Sequence, residues 1–139
     1  MTDLKYQKHV VTCTKAKNPA HAEIVRPAIF MRGGDNWGIN FHMDWECISQ
    51  PFQMEPAAMV HEFDQILCFI GGNVADLFDF QAVIELSLGK EAEKYIITAP
   101  TTVYIPKGMP HGPLDFKKIV KPIMFHNIVF SPSYIRKRD

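Results

Sequence analysis

Two short segments of the 139-residue chain carry residue types able to do chemistry. In "MVHEFDQ", residues 59–65, His61 and Gln65 stand four positions apart with Glu62 and Asp64 between them. In "PKGMPHGP", residues 106–113, His111 lies between Pro110 and Pro113. Two imidazole nitrogens with an amide oxygen make a mixed nitrogen and oxygen shell suited to Zn, Fe, Mn, Ni or Cu. His61, Gln65 and His111 are therefore the candidate metal ligands, and a divalent transition metal is the candidate cofactor. Glu62 and Asp64, beside His61, and His126 in "IMFHNIVF" are the candidates for moving a proton. For each of these three the alternative is a solvent-facing or hydrogen-bonded polar residue.

The backbone around His111 is stiff for a reason. Pro106 cannot donate to a sheet ladder and Gly108 tolerates positive φ, so 106–108 predicts a tight turn at a strand end. Flanking prolines leave the segment few conformations, so fixing the His111 ring costs less entropy. A bend at 62–64 after His61 would let Gln65 open the following strand and converge on the same point.

The elements that must position these residues read as β. Ten prolines, short apolar runs and little 3.6-residue periodicity leave helix the minority. "INFHMDWEC" alternates, with Phe41, Met43, Trp45 and Cys47 on one face and His42, Asp44 and Glu46 on the other, the latter read as the more polar, solvent-facing side, with His42 turned into the cavity as the alternative. "QILCFIGG" is apolar on both faces and predicts a covered strand ending in a tight turn, with Cys68 a buried core residue. "AVIELSLG", "YIITAP", "TTVYIP" and "IVKPIMFHNIVF" add further short strands, while "RGGDNWG" reads as a loop. Such a series predicts a sandwich or barrel.

Composition narrows the functional classes. Lys plus Arg and Asp plus Glu are 15 each, so no global charge invites nucleic acid or an anionic membrane. Apolar residues make up 47%, enough for one folded core, and no run is long enough for a membrane span. The start lacks an apolar signal region, and three scattered cysteines form neither a disulfide framework nor a zinc knuckle, so the expectation is a cytoplasmic protein acting on a small molecule.

The two segments together resemble the cupin motifs. The second family motif, G-x5-P-x-G-x2-H-x3-N, is matched by Pro100-x5-Pro106-x-Gly108-x2-His111-x3-Asp115. The first, G-x5-H-x-H-x3,4-E-x6-G, is matched by Met59-x-His61-x3-Gln65-x6-Gly72, with Met59 and Gln65 where the family has a histidine and a glutamate. The resemblance implies an all-β jelly-roll (double-stranded β-helix) barrel with little helix, a single cupin domain over 24–139; the more polar residues 1–23 read as an arm or strand packing on the barrel or a dimer partner. It also implies a homodimer and a metal-dependent enzyme of isomerase, decarboxylase or lyase type, acting on a small carboxylate, ketone or sugar-like substrate. A metal-dependent dioxygenase and a non-catalytic ligand-binding cupin are the alternatives.

Overall fold

The computed structural model describes residues 4–131. Nine strands dominate: β1 (Ile29–Arg32), β2 (His42–Ile48), β3 (Phe52–Glu55), β4 (Gln65–Gly71), β5 (Ala82–Leu88), β6 (Glu93–Ile97), β7 (Thr101–Ile105), β8 (His111–Ile119) and β9 (Ile123–Val129). They form two antiparallel sheets, ordered β1-β2-β9-β4-β7 and β3-β8-β5-β6. This is the expected barrel of packed sheets. The "RGGDNWG" segment departs from the loop expectation: Gly33–Trp37 form a five-residue helix, α1. Gly38, at φ 67°, ends it in the left-handed conformation that glycine tolerates. The Asn36 amide donates to the Arg32 carbonyl (3.1 Å) within the same turn.

The interior has an apolar half and a polar half. Ile48, Phe69, Ile84, Phe116 and Ile123 are fully buried where the two sheets meet. Phe69 and Phe125 stack at 5.1 Å, with Phe116 edge-on to Phe125 at 5.9 Å. Burying aromatic rings of this size dominates the apolar stabilisation of such a small domain. Toward the other end lie the starts of β2, β4 and β8, and there the packing opens into a cavity of about 960 Å³.

Strand β2 lies with the opposite face inward from the one its alternation predicts. His42, Asp44 and Glu46 are buried, at 3, 5 and 4% exposure, while Met43, Trp45 and Cys47 on the outer face keep partial exposure. Period-2 alternation separates two faces but does not say which one turns inward. The parity of Ile48, wholly buried and in step with 42, 44 and 46, does. Cys68 likewise is not a core residue: it is partly exposed on the outer face, opposite His126. The three cysteines are free thiols.

Candidate functional site

The two loops picked out by sequence are clamped together. The turn 106–109 closes with the Met109 N–H donating to the Pro106 carbonyl (3.0 Å), and Gly108 has φ 85°. Gly108 N–H then donates to the His61 carbonyl (2.9 Å), and Lys107 N–H donates to Asp64 Oδ1 (2.9 Å). Met59 and His111 exchange both backbone hydrogen bonds (2.7 and 3.0 Å). The result brings the rings of His61 and His111 to 4.9 Å, tilted by 52°. The His111 Nδ1–H donates to the Met109 carbonyl (3.2 Å), which leaves Nε2 as its lone-pair nitrogen. Burial lowers the His111 pKa, opposed by that carbonyl and by the charge of Glu55.

Gln65 faces inward from the first position of β4 and borders the cavity with His111, whereas His61 packs behind, stacked on Phe63 at 4.7 Å. Gln65 Nε2 donates to Asn127 Oδ1 (2.8 Å), and its Oε1 is buried without a hydrogen bond. These residues would supply a cupin metal with two imidazoles and an amide oxygen. Among the described residues no three His, Cys, Asp or Glu side chains converge to hold an ion, and the family's other histidine position is a buried thioether, Met59. A tightly held divalent ion ordinarily draws on three or more nitrogen, sulfur or carboxylate donors. The donor set therefore does not fit such an ion.

The three residues expected to move protons lie elsewhere. Glu62 is exposed at the bend after His61. Asp64 is exposed as well, and its Oδ1 also accepts from the Tyr104 hydroxyl (3.2 Å), so it pins the turn rather than reaching the barrel. His126 lies on the outer face of its sheet, stacked on Trp45 at 4.6 Å and 8°. The inversion that buries His42 puts His126 outside: Trp45 and His126 are register partners, so both point away from the cavity.

The titratable groups on the cavity wall come instead from β2. Asp44 and Glu46, two positions apart on one strand face, place their carboxyls side by side. Burial together with the neighbouring Glu46 carboxylate pushes the Asp44 pKa up to about 8, with a hydrogen bond from Asn127 opposing. Burial also raises Glu46, against hydrogen bonds from Asn18 and Asp44. Two adjacent carboxyls in a site of low polarity share one proton, since ionising both would set like charges against each other out of water. The Asp44 pKa is raised to about 8 while Asn18 donates to Glu46, so Asp44 is the better placed of the two to keep the shared proton. Asp44 Oδ1 is buried without a hydrogen bond.

His42 completes the row, its Nε2 3.9 Å from Asp44 Oδ2. Burial, and then the charge of Arg32, lowers its pKa and keeps the imidazole neutral. Arg32, the register partner of His42, borders the same cavity and supplies a cation there. The wall thus offers a carboxylic acid, a carboxylate, neutral imidazoles and one guanidinium. The signal in the sequence was the run of titratable residues at 42, 44 and 46 on one strand face.

No family model matches the sequence, and no curated protein matches it. Solved structures do. Oxalate decarboxylase from Bacillus subtilis, studied for its Mn(II) centres, superposes with a TM-score of 0.56 at 11% identity, over 88% of this chain and 28% of its own. A recombinant oxalate oxidase in complex with glycolate gives 0.56 at 13% identity, over 91% and 61%. The polyketide cyclase RemF from Streptomyces resistomycificus gives 0.52 at 12% identity, over 93% and 78%. The chain spans little more than a quarter of the decarboxylase and under two thirds of the oxidase. All three are cupin-fold proteins, and the superposition over most of this chain makes its fold that of a cupin.

Proposed function

We propose that the protein is an enzyme that moves protons on a small carboxylate, ketone or sugar-like substrate held in the barrel, with isomerase or lyase chemistry. The observation that carries this reading is the Asp44 and Glu46 pair on the wall of a buried cavity. Glu46 removes a proton from the carbon beside a carbonyl while Asp44 gives its proton to the carbonyl oxygen, producing a neutral enediol or enol. From an α-hydroxy carbonyl the intermediate is an enediol: the proton on Glu46 goes to the former carbonyl carbon while the hydroxyl on the α-carbon gives its proton to Asp44, so the carbonyl moves by one carbon and the pair ends as it began. General acid–base catalysis works best when the donor titrates near the working pH, which a carboxyl raised to about 8 satisfies. Arg32 is suited to anchor a substrate carboxylate, and Gln65, Asn127 and His111 to bind hydroxyl groups.

The test follows hydrogen exchange at the substrate α-carbon. Hydroxy acids, keto acids and simple sugars incubated with the protein in D2O are read by proton NMR. The expected result is deuterium incorporation that persists after dialysis against a chelator and falls by about 10²–10⁴-fold in Glu46→Gln. A substrate that binds without exchange would replace the enzyme reading with that of a ligand-binding module. A dioxygenase reading requires a redox metal, which the donor set does not fit.

We also propose a homodimer formed through the outer face of the five-stranded sheet. Its outward positions, among them Met43, Trp45, Ile66, Ile70, Met124 and Ile128, carry no Asp, Glu, Lys or Arg. Two copies related by a twofold axis therefore meet there without opposed like charges. Among the described residues no helix is long and apolar enough to cross a membrane. Free thiols suit a reducing compartment, and we place the protein in the cytoplasm.

A further inference from the structure

The segment before β1 brings one more residue to the carboxyl pair. Residues 14–21 border the open end of the cavity, with Thr14, Lys17, Asn18 and His21 among its walls. The segment is tied down where Ala16 and Ala28 exchange backbone hydrogen bonds of 2.9 and 2.7 Å. Asn18 is partly buried while Lys17, Pro19 and Ala20 are exposed, so its side chain turns inward from a cover that otherwise faces water.

The hydrogen bonds of Asn18 fix its orientation. One end of its amide accepts from the backbone N–H groups of Ala20 and His21, both at 2.8 Å. An atom that receives two N–H donors must be the oxygen, so the other end is the NH2 group. That group lies 2.5 Å from Glu46 Oε2. An amide NH2 only donates, so Glu46 Oε2 must accept. A donor held there favours the ionised form of Glu46 and leaves the shared proton with Asp44.

We infer that Asn18 is a positioning residue through which the 14–21 segment, lying across the barrel mouth, holds Glu46 as the base of the pair and Asp44 as its acid. The inference rests on the proposed proton-transfer role of the two carboxyls. It ties closure over the cavity to the protonation pattern catalysis needs. With the segment in place, base and acid are distinct; with it lifted, Glu46 loses this donor and the proton is no longer confined to Asp44. Other groups face the pair without replacing that donor. His42 on β2 and Arg32 on β1 stand on the Asp44 side. Asn127 on β9 bonds Asp44 and holds Gln65 of β4. Glu55 on β3 and His111 on β8 border the cavity, as do Lys17 and Asp35.

The test is a carboxyl titration of the full chain, with 13C-labelled Asp and Glu followed by NMR in wild type, Asn18→Ala and Asn18→Asp. Asn18→Asp keeps an oxygen that accepts from Ala20 and His21 but removes the NH2 donor, so the segment retains its fold while Glu46 loses its partner. Loss of one charge-assisted hydrogen bond is expected to raise the Glu46 step by about one pH unit in Asn18→Ala and by more in Asn18→Asp, which adds a like charge. Amide hydrogen exchange over 14–21 is expected to stay at the wild-type rate in Asn18→Asp. The added charge raises Glu46 in Asn18→Asp under either role, so Asn18→Ala decides: a purely structural role would move the Glu46 step there only together with faster exchange over 14–21. A Glu46 step that moves by less than about 0.3 unit in both variants overturns the inference alone. A wild type in which neither Asp44 nor Glu46 titrates above the ordinary carboxyl range overturns the proton-transfer reading as well.

Discussion

The two faces of the five-stranded sheet are built by the same strands and from opposite chemistry. On the inner face, β2, β4 and β9 present His42, Asp44, Glu46, Gln65 and Asn127 around a cavity. On the outer face, the positions between them present Met43, Trp45, Cys47, Ile66, Cys68 and Ile70. The ordinary arrangement, apolar inward and polar outward, is reversed over the upper half of the barrel. The interior becomes apolar only toward the end where Ile48, Phe69 and Phe125 meet the second sheet. Burying polar side chains such as His42, Asp44, Glu46 and Gln65 is costly unless they are hydrogen-bonded or neutral, and here both devices operate. Gln65 bonds Asn127 and Asn18 bonds Glu46, while burial raises the Asp44 pKa and lowers that of His42, favouring the neutral form of each. An interior so composed is suited to the proposed ligand, and an exterior so composed to the proposed dimer contact.

The largest break in the comparison comes from placing a charge on the outer face. Ile128→Glu sets two carboxylates against each other across a twofold interface, with their desolvation added. Sedimentation equilibrium is expected to show a dimer in wild type and at least about a 100-fold weaker dimer in the variant, corresponding to roughly 3 kcal/mol. Its carboxyl titration on the inner face should be unaltered. A monomeric wild type at tens of micromolar would remove the partner surface from the comparison.

Much of this arrangement was legible in the residues. Pro106, Gly108 and His111 announced the turn that aims an imidazole at His61, and the structure places the two rings together. The short alternating runs announced the sheets. The facing of β2 was not legible in "HMDWEC" alone, because parity divides a strand into two faces and only packing selects the inner one. Met43, Trp45 and Cys47 are the apolar set by every propensity, yet Ile48 joins the titratable residues inside. The facing of β9 was ambiguous in the same way: His126 shares parity with Met124 and Ile128, and its pairing with Trp45 puts it on the outer face. The role of Asn18 was out of reach for a different reason: 28 residues separate it from Glu46, and nothing local marks the contact.

A smaller effect sharpens the inner face. Asp44 has a folded pKa of about 8 against an ordinary carboxyl value near 4, so between these limits the folded chain holds a proton that the unfolded chain has released. Folding is thus favoured at the acid end of this window, and stability is lost as pH rises from about 4 to about 8. Below about 6.5 the histidines oppose it. His42, His111 and His126 have lowered pKa values, so their unfolded forms take up protons that the folded forms refuse. The carboxyl contribution is therefore isolated between pH 6.5 and 8, where wild type should melt at progressively lower temperature as pH rises. Asp44→Asn keeps the size of the side chain and cannot ionise. Its melting temperature should be flat across that window and exceed wild type most at pH 8. A variant that retains the wild-type slope would show that Asp44 does not hold the proton.

The smallest effect belongs to the outer face and tests whether His126 is a packing residue. Its ring stacks on Trp45, its Nε2 is buried without a hydrogen bond, and burial lowers its pKa. His126→Phe preserves the stacking and removes the unbonded nitrogen. Replacing a polar group that has no partner by an apolar ring of similar shape is nearly neutral or mildly stabilising, within about 1 kcal/mol at pH 7.5. The sign of the pH dependence is fixed. The unfolded histidine binds a proton below about 6.5 and the folded one does not, so His126 withdraws stability as pH falls through that value. The advantage of His126→Phe over wild type should therefore grow between pH 6.5 and 5, read as the difference in urea midpoint at each pH. An advantage that shrinks on acidification would mean that His126 is better solvated or better bonded when folded, and the outer face would then hold a polar site of its own.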